Sequence, residues 1–193
     1  MLTISFLASH GGSALKEIFA ARDQLSAPAK VGVVIFNNKD SEVAAWSKTN
    51  GLQHRHISGL THPEDAARDI AIRDTLEAVG TDLVVLSGYM KKIGPETLAL
   101  YRNRIMNIHP SLLPKHGGKG LFGDKVHEAV LKSGDAESGA TVHLINEEYD
   151  EGPILLQRRV PIDKTETLKT LKNKIQSIEG QLYIDAINSL VSS

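Results

Sequence analysis

Apolar runs along the chain alternate with stretches in which apolar residues recur every third or fourth position. Residues 2–8 are a mostly apolar run of the kind that forms a strand covered on both faces. Leu15, Ile18 and Phe19 behind it share one helical face. Residues 31–36 repeat the strand pattern with β-branched residues, and Val43, Ala44 and Trp46 repeat the helical one, with Trp46 expected in or near the core. A weaker strand follows at 52–57, then a helix carrying Ile70, Leu76 and Val79, then the strongest apolar run of the chain at 82–87. Pro95 opens a short helix, at a position where its missing N–H costs nothing. Residues 104–109 form another buried strand. Residues 125–133 are helical, with Val126, Ala129 and Val130 inward. Residues 140–145 and 154–160 form a hairpin around an acidic turn, and Thr141, His143 and Ile145 share one side of its first strand. From 166 to 191, Leu168, Leu171, Ile175, Ile178, Leu182 and Ile187 keep helical spacing. This alternation predicts an α/β fold: a mainly parallel twisted sheet with helices on both faces, an added antiparallel hairpin and a long C-terminal helix. No repeat, linker or low-complexity tract divides the chain, so residues 1–193 are expected to form one domain.

Composition narrows the function classes. The 193 residues are 41% hydrophobic and 23% charged, as in ordinary globular enzymes. A net charge of -1 and 5% aromatic residues supply neither the field nor the stacking surface for nucleic acid. The absence of cysteine removes a disulfide framework and a thiol nucleophile, and fits a reducing compartment. No signal-peptide pattern and no membrane-length apolar run is present, so a cytoplasmic location and small-molecule partners are expected, with no membrane or nucleic acid. Monomer and homodimer are equally compatible with the sequence.

Candidate chemistry concentrates at Met106-Asn107-Ile108-His109-Pro110-Ser111-Leu112-Leu113-Pro114. Residues two apart on a strand point the same way, so the Asn107 amide and the His109 imidazole address one spot. Pro110 keeps His109 extended, and Pro114 closes a rigid turn. Such a pair can polarise a carbonyl and move a proton; spacing alone is equally compatible with a histidine that caps the loop. Ser111 lacks the Gly-x-Ser-x-Gly elbow of a nucleophile. The turn Ser9-His10-Gly11-Gly12-Ser13 between strand and helix suits either an anion or simple turn geometry. It is not the Gly-x-Gly-x-x-Gly of a dinucleotide site. His54 and His56 have metal-compatible spacing but no further ligand nearby, and no metal is expected. The glycine-rich stretch 115–124 departs from a phosphate-binding P-loop. It is expected to be a mobile or sharply folded loop, and its place beside the His motif suggests a lid or a phosphate-side contact, with His127 near the site.

The motif Asn107-x-His109-Pro110-Ser111-Leu112-Leu113-Pro114, with Ser138-Gly139-Ala140-Thr141-Val142-His143 and Tyr149-Asp150-Glu151-Gly152-Pro153-Ile154, resembles the folate-dependent formyltransferases. The resemblance covers nearly the whole chain and is most specific from residue 82 to 161. It implies a Rossmann-like formyltransferase domain over residues 1–193, with 10-formyltetrahydrofolate as co-substrate and no metal. Within the family, length and N-terminal start resemble the branch that formylates N1-(5-phospho-D-ribosyl)glycinamide in purine (IMP) synthesis. Members that formylate other amines, such as amino sugar nucleotides, are the alternative, beside a non-catalytic nucleotide-binding module. Carried over residue by residue, the resemblance implies Asn107, His109 and Asp150 as catalytic, with Asp150 favouring the charged imidazole. It places Gly12, Ser13, Ala14 and Glu179 on the phosphoribosylglycinamide, and Met90, Lys91, Lys92, Ile93 and Asn107 on the folate. Ala14 stands where the family usually has Asn, and His10-Gly11 replaces the common Gly-Asn. Both changes put the side-chain part of acceptor recognition in question.

Overall fold

The structure, a computed structural model, describes residues 1–191. The chain divides into two compact units, Met1–Met106 and Asn107–Ser193, the second described as far as Val191. The sheet has seven strands in the order β3-β2-β1-β4-β5-β6-β7.

In the first unit, β1 (Leu2–Ala8), β2 (Ala29–Phe36), β3 (His54–His56), β4 (Leu83–Leu86) and the start of β5 (Ile105–His109) pair in parallel. Helices α1 (Ser13–Ala20), α2 (Glu42–Thr49), α3 (Asp65–Ala78) and α4 (Pro95–Leu100) alternate with them. Parallel strands need helical crossovers, and their faces are then covered; hence the continuous apolar runs. Phe6, Leu7, Val34, Ile35, Val84 and Val85 are completely buried. The weak run at 52–57 yields a strand of only three residues. Its ends are nevertheless held: Val34 N–H donates to the Gln53 carbonyl and Ile57 N–H to the Phe36 carbonyl. Trp46 is half-buried and meets Phe19 edge to face, with ring centroids 5.4 Å apart.

The second unit holds the end of β5, α5 (Asp124–Ser133), β6 (Glu137–Leu144), β7 (Ile154–Pro161) and α6 (Leu168–Val191). β6 and β7 are antiparallel, from Glu137 opposite Pro161 to Val142 opposite Leu156, with an irregularity between Val142 and His143. β6 starts before the expected residue 140 because Glu137, Ser138 and Gly139 also pair with β7. A side chain at Gly139 would overlap the Arg158 carbonyl, so it is a point of close strand approach. Leu171, Ile175, Leu182, Tyr183 and Ile187 form the buried stripe of α6, which packs on β6, β7 and α5. Its first turn starts after Thr167, whose hydroxyl accepts the Thr170 N–H at 3.2 Å.

Candidate active site

The turn after β5 is tied down by buried polar contacts. Thr141 on β6 donates its hydroxyl to the Ser111 carbonyl at 2.6 Å, and accepts the Leu113 N–H at 3.0 Å and Gln157 Nε2 at 2.9 Å. Gln157 also donates to the Leu113 carbonyl at 2.9 Å, and Ser111 Oγ donates to the Lys115 carbonyl at 2.6 Å. Each partner is satisfied, so the turn is rigid at the point where β5 releases His109.

Four side chains converge there: Asn107 and His109 from β5, His143 from β6 and Asp150 from the loop before β7. His109 is 4% exposed and its Nδ1 lies 3.4 Å from Asp150 Oδ2. Its Nε2 lies 2.8 Å from the His116 carbonyl. A carbonyl only accepts, so Nε2 carries a proton. Asn107 Nδ2 is 3.1 Å from His143 Nε2, and His143 Nδ1 is 3.1 Å from the Leu144 carbonyl. Nδ1 therefore holds the His143 proton and Nε2 accepts from the amide. Burial pushes the His143 pKa down against the opposing pull of Asp150 and the Leu144 carbonyl, in keeping with this neutral tautomer. The 3.7 Å between His143 Nε2 and Asp150 Oδ1 is thus proximity, not an ion pair.

Asp150 reaches the ring because its loop folds back tightly. Its φ is +60°, and a side chain at Gly152 would overlap the Leu144 carbonyl. The carboxylate also accepts the Gly118 N–H at 2.9 Å. Gly117 leaves the space: a Cβ there would strike Leu113 and sit 3.3 Å from Asp150 Cβ. Among the described residues no cluster of three or more metal-ligating side chains occurs, and no helix is long and apolar enough to cross a membrane.

Of the residues picked from sequence, Asn107, His109 and Asp150 come together. Glu179 is half-buried on α6, near enough to Tyr183 to add to the rise that burial causes in that phenol's pKa. In the first unit, Gly12 is the left-handed residue (φ +67°) before α1, where a Cβ would lie 2.5 Å from Val43 Cγ2. Ser13 is exposed and Ala14 buried, and the Leu15 N–H is taken by Ser87 Oγ at 3.0 Å. The 90–93 loop is anchored by the Met90 N–H on Ser9 Oγ at 2.8 Å. Met90, Lys91 and Lys92 are exposed and Ile93 buried.

Sequence reasoning missed His143, His116 and Asp135 as parts of this site. His143 carried a signal, since it lies two residues from the inward Thr141 on one strand face. His116 and Asp135 carried none, being joined only by the fold: His116 Nε2 lies 2.8 Å from Asp135 Oδ2.

Fold and site together define a class: α/β proteins that set an amide, an imidazole and a carboxylate at the end of an inner strand. Residues 2–187 match the formyl transferase family, and the chain belongs to it. It is 36% identical over 97% of its length to a chloroplastic phosphoribosylglycinamide formyltransferase of Arabidopsis thaliana. It spans 64% of that relative and 60% of the one from Vigna unguiculata. Haemophilus influenzae phosphoribosylglycinamide formyltransferase is 34% identical over 95% of this chain and 84% of its own. The crystal structure of glycinamide ribonucleotide transformylase 1 from Symbiobacterium toebii superposes with a TM-score of 0.89 at 34% identity, covering 97% of this chain and 86% of that one.

Proposed function

We propose that the chain transfers the formyl group of 10-formyltetrahydrofolate to the amine of N1-(5-phospho-D-ribosyl)glycinamide, the formylation step of purine synthesis that its relatives are named for. The supporting observation is His109 against Asp150 at 3.4 Å, beside an Asn107 amide held by His143. In the reaction the amine attacks the formyl carbon, a C–N bond forms and the carbonyl oxygen becomes negative. Asn107 has two amide protons; His143 takes one, and the other is offered to that oxygen together with Nδ1–H of the His109 imidazolium, its Nε2–H being held by the His116 carbonyl. One such donor is worth about 3 kcal/mol of barrier. The proton lost by the amine passes through His109, Asp150 and solvent to the folate nitrogen, which leaves as its bond to the formyl carbon breaks. The formyl group is already activated, so no metal is required.

In this reading Gly12, Ser13 and Ala14 hold the substrate phosphate through main-chain N–H groups, and Glu179 contacts the glycinamide. Met90 to Ile93 and Asn107 hold the folate. Residues 1–193 act as one catalytic domain in the cytoplasm, as monomer or homodimer. Ala14, with no side-chain amide to offer, favours a second reading in which the acceptor is another amine, such as an amino sugar nucleotide. The test is to mix the protein with 10-formyltetrahydrofolate and either acceptor and follow the folate absorbance. Turnover with phosphoribosylglycinamide alone supports the first reading and turnover with the amino sugar alone the second. No turnover with either overturns both.

A further inference from the structure

His109 is held from two sides, and only one of them is accounted for by the reaction. Asp150 faces Nδ1. The other side is the His116 carbonyl, 2.8 Å from Nε2. That carbonyl belongs to a residue in an unusual state: His116 has φ +56°, a conformation that residues with side chains seldom adopt. Glycines crowd the stretch after it, yet this position is a histidine. Its side chain supplies the anchor. His116 Nε2 lies 2.8 Å from Asp135 Oδ2, and the neighbouring Lys115 Nζ lies 3.0 Å from Asp135 Oδ1. Ser133 Oγ accepts the Asp135 N–H at 3.4 Å, so the acid sits on a short cap at the end of α5. Hydrogen bonds from His116, Lys115 and Ser133 hold the Asp135 carboxyl well below the ordinary carboxylate range, so the anchor stays charged.

We propose that Asp135 and His116 are positioning residues that lock His109 in one tautomer and one ring orientation, with Nε2–H fixed on the main chain and Nδ1 left as the nitrogen that exchanges protons. The chain of contacts is continuous: the Asp135 carboxylate grips the His116 ring, the grip holds the left-handed backbone, and that backbone aims its carbonyl at Nε2. With Nε2 occupied, a mobile proton enters and leaves only at Nδ1, which faces the Asp150 carboxylate. A histidine free to hold its proton on either nitrogen would spend part of its time with the proton on Nδ1 and Nε2 bare, a wrong tautomer for the relay. The inference deepens the formyl-transfer reading, since it takes His109 as the acting group.

The test pairs kinetics with a direct view of the ring. Asp135→Ala removes the anchor. His116→Gly removes the gripped side chain while keeping a backbone at ease with positive φ, so it folds even if the first variant does not. Lys115→Ala removes the second Asp135 contact and is expected to behave as wild type. With ring-15N histidine, wild-type His109 should show a protonated, hydrogen-bonded Nε2. Asp135→Ala and His116→Gly should mix the tautomers and lower kcat by about tenfold or more, with KM for both substrates within about twofold of wild type. The double variant should be no worse than the poorer single one. An unchanged His109 ring spectrum in the folded variants overturns the proposal, whatever the kinetics do. A wild type without formyl transfer sinks the functional reading instead, and the tautomer lock is then decided by the ring spectrum alone.

Discussion

A residue matters here through what its neighbours leave it free to do. The parity of Asn107 and His109 on one strand was legible from sequence, because strand geometry puts alternate residues on one side. The partner of each was less so. Asp150 lies 41 positions from His109 along the chain, and only the family resemblance singled it out; its positive φ and the absence of room for a side chain at Gly152 are properties of the folded loop. His109→Ala and Asp150→Asn are expected to lower turnover by about two orders of magnitude or more with the far-UV spectrum unchanged. Near-normal rates for both would remove the mechanism. His143 acts one step away, by holding the Asn107 amide. His143→Leu should lower kcat less than Asn107→Ala does, and adding it to Asn107→Ala should cost little more, because both changes break one contact. Fully additive losses measured in that double-variant cycle would separate the two residues.

Elements were read well where a local signal defined them and poorly where a distant residue did. Pro95 marks the start of α4 in the sequence, but its cap does not appear there. Asp69 on α3, 5% exposed, accepts the Glu96 N–H at 2.8 Å, the Thr97 N–H at 3.2 Å and the Thr97 hydroxyl at 2.6 Å. One carboxylate thus satisfies the free N–H groups of a helix some 27 residues on, at the end where the helix dipole favours negative charge. Gly94 is the matching concession, since a Cβ there would overlap the Asp69 carboxyl group. Asp69→Ala should cost about 1–3 kcal/mol, read as a lower urea midpoint, because it strands buried donors. Gly94→Ala should also destabilise, by pushing the same carboxylate off its donors. Unchanged midpoints in both would mean that α4 is held by packing alone. Gly139 lay just outside the strand expected from residue 140, yet it is an interior strand residue, where the Arg158 carbonyl leaves no room for a side chain.

At the scale of the molecule, the buried titratable groups set a stability profile with pH. His143 and His127, 1% and 3% exposed, are both pushed by burial below the ordinary histidine value. Each is held neutral by the fold, while the unfolded chain takes up protons at a value near 6.5 (about, for free histidine). Their stabilising contribution is therefore whole above that value and shrinks as pH falls through it, because the unfolded state then binds more protons. Asp135 works in a separate window. Its folded value lies below the ordinary carboxylate one, so its contribution stands above about pH 4 and is lost only in stronger acid. At the alkaline end, Tyr89 is pushed up to about 12 by burial and Tyr183 well above its usual value. Stability should decline again above about pH 10, where the unfolded phenols ionise first. His127 gives the cleanest test, since its Nδ1 is buried with no hydrogen-bond partner among the described residues and the ring contributes mainly packing. His127→Phe should unfold at nearly the wild-type urea midpoint at about pH 8 and at a higher one at about pH 5.5, flattening the slope between them. A variant whose midpoints fall in parallel with wild type across that range would show that protonation of His127 plays no part in the acid loss of stability.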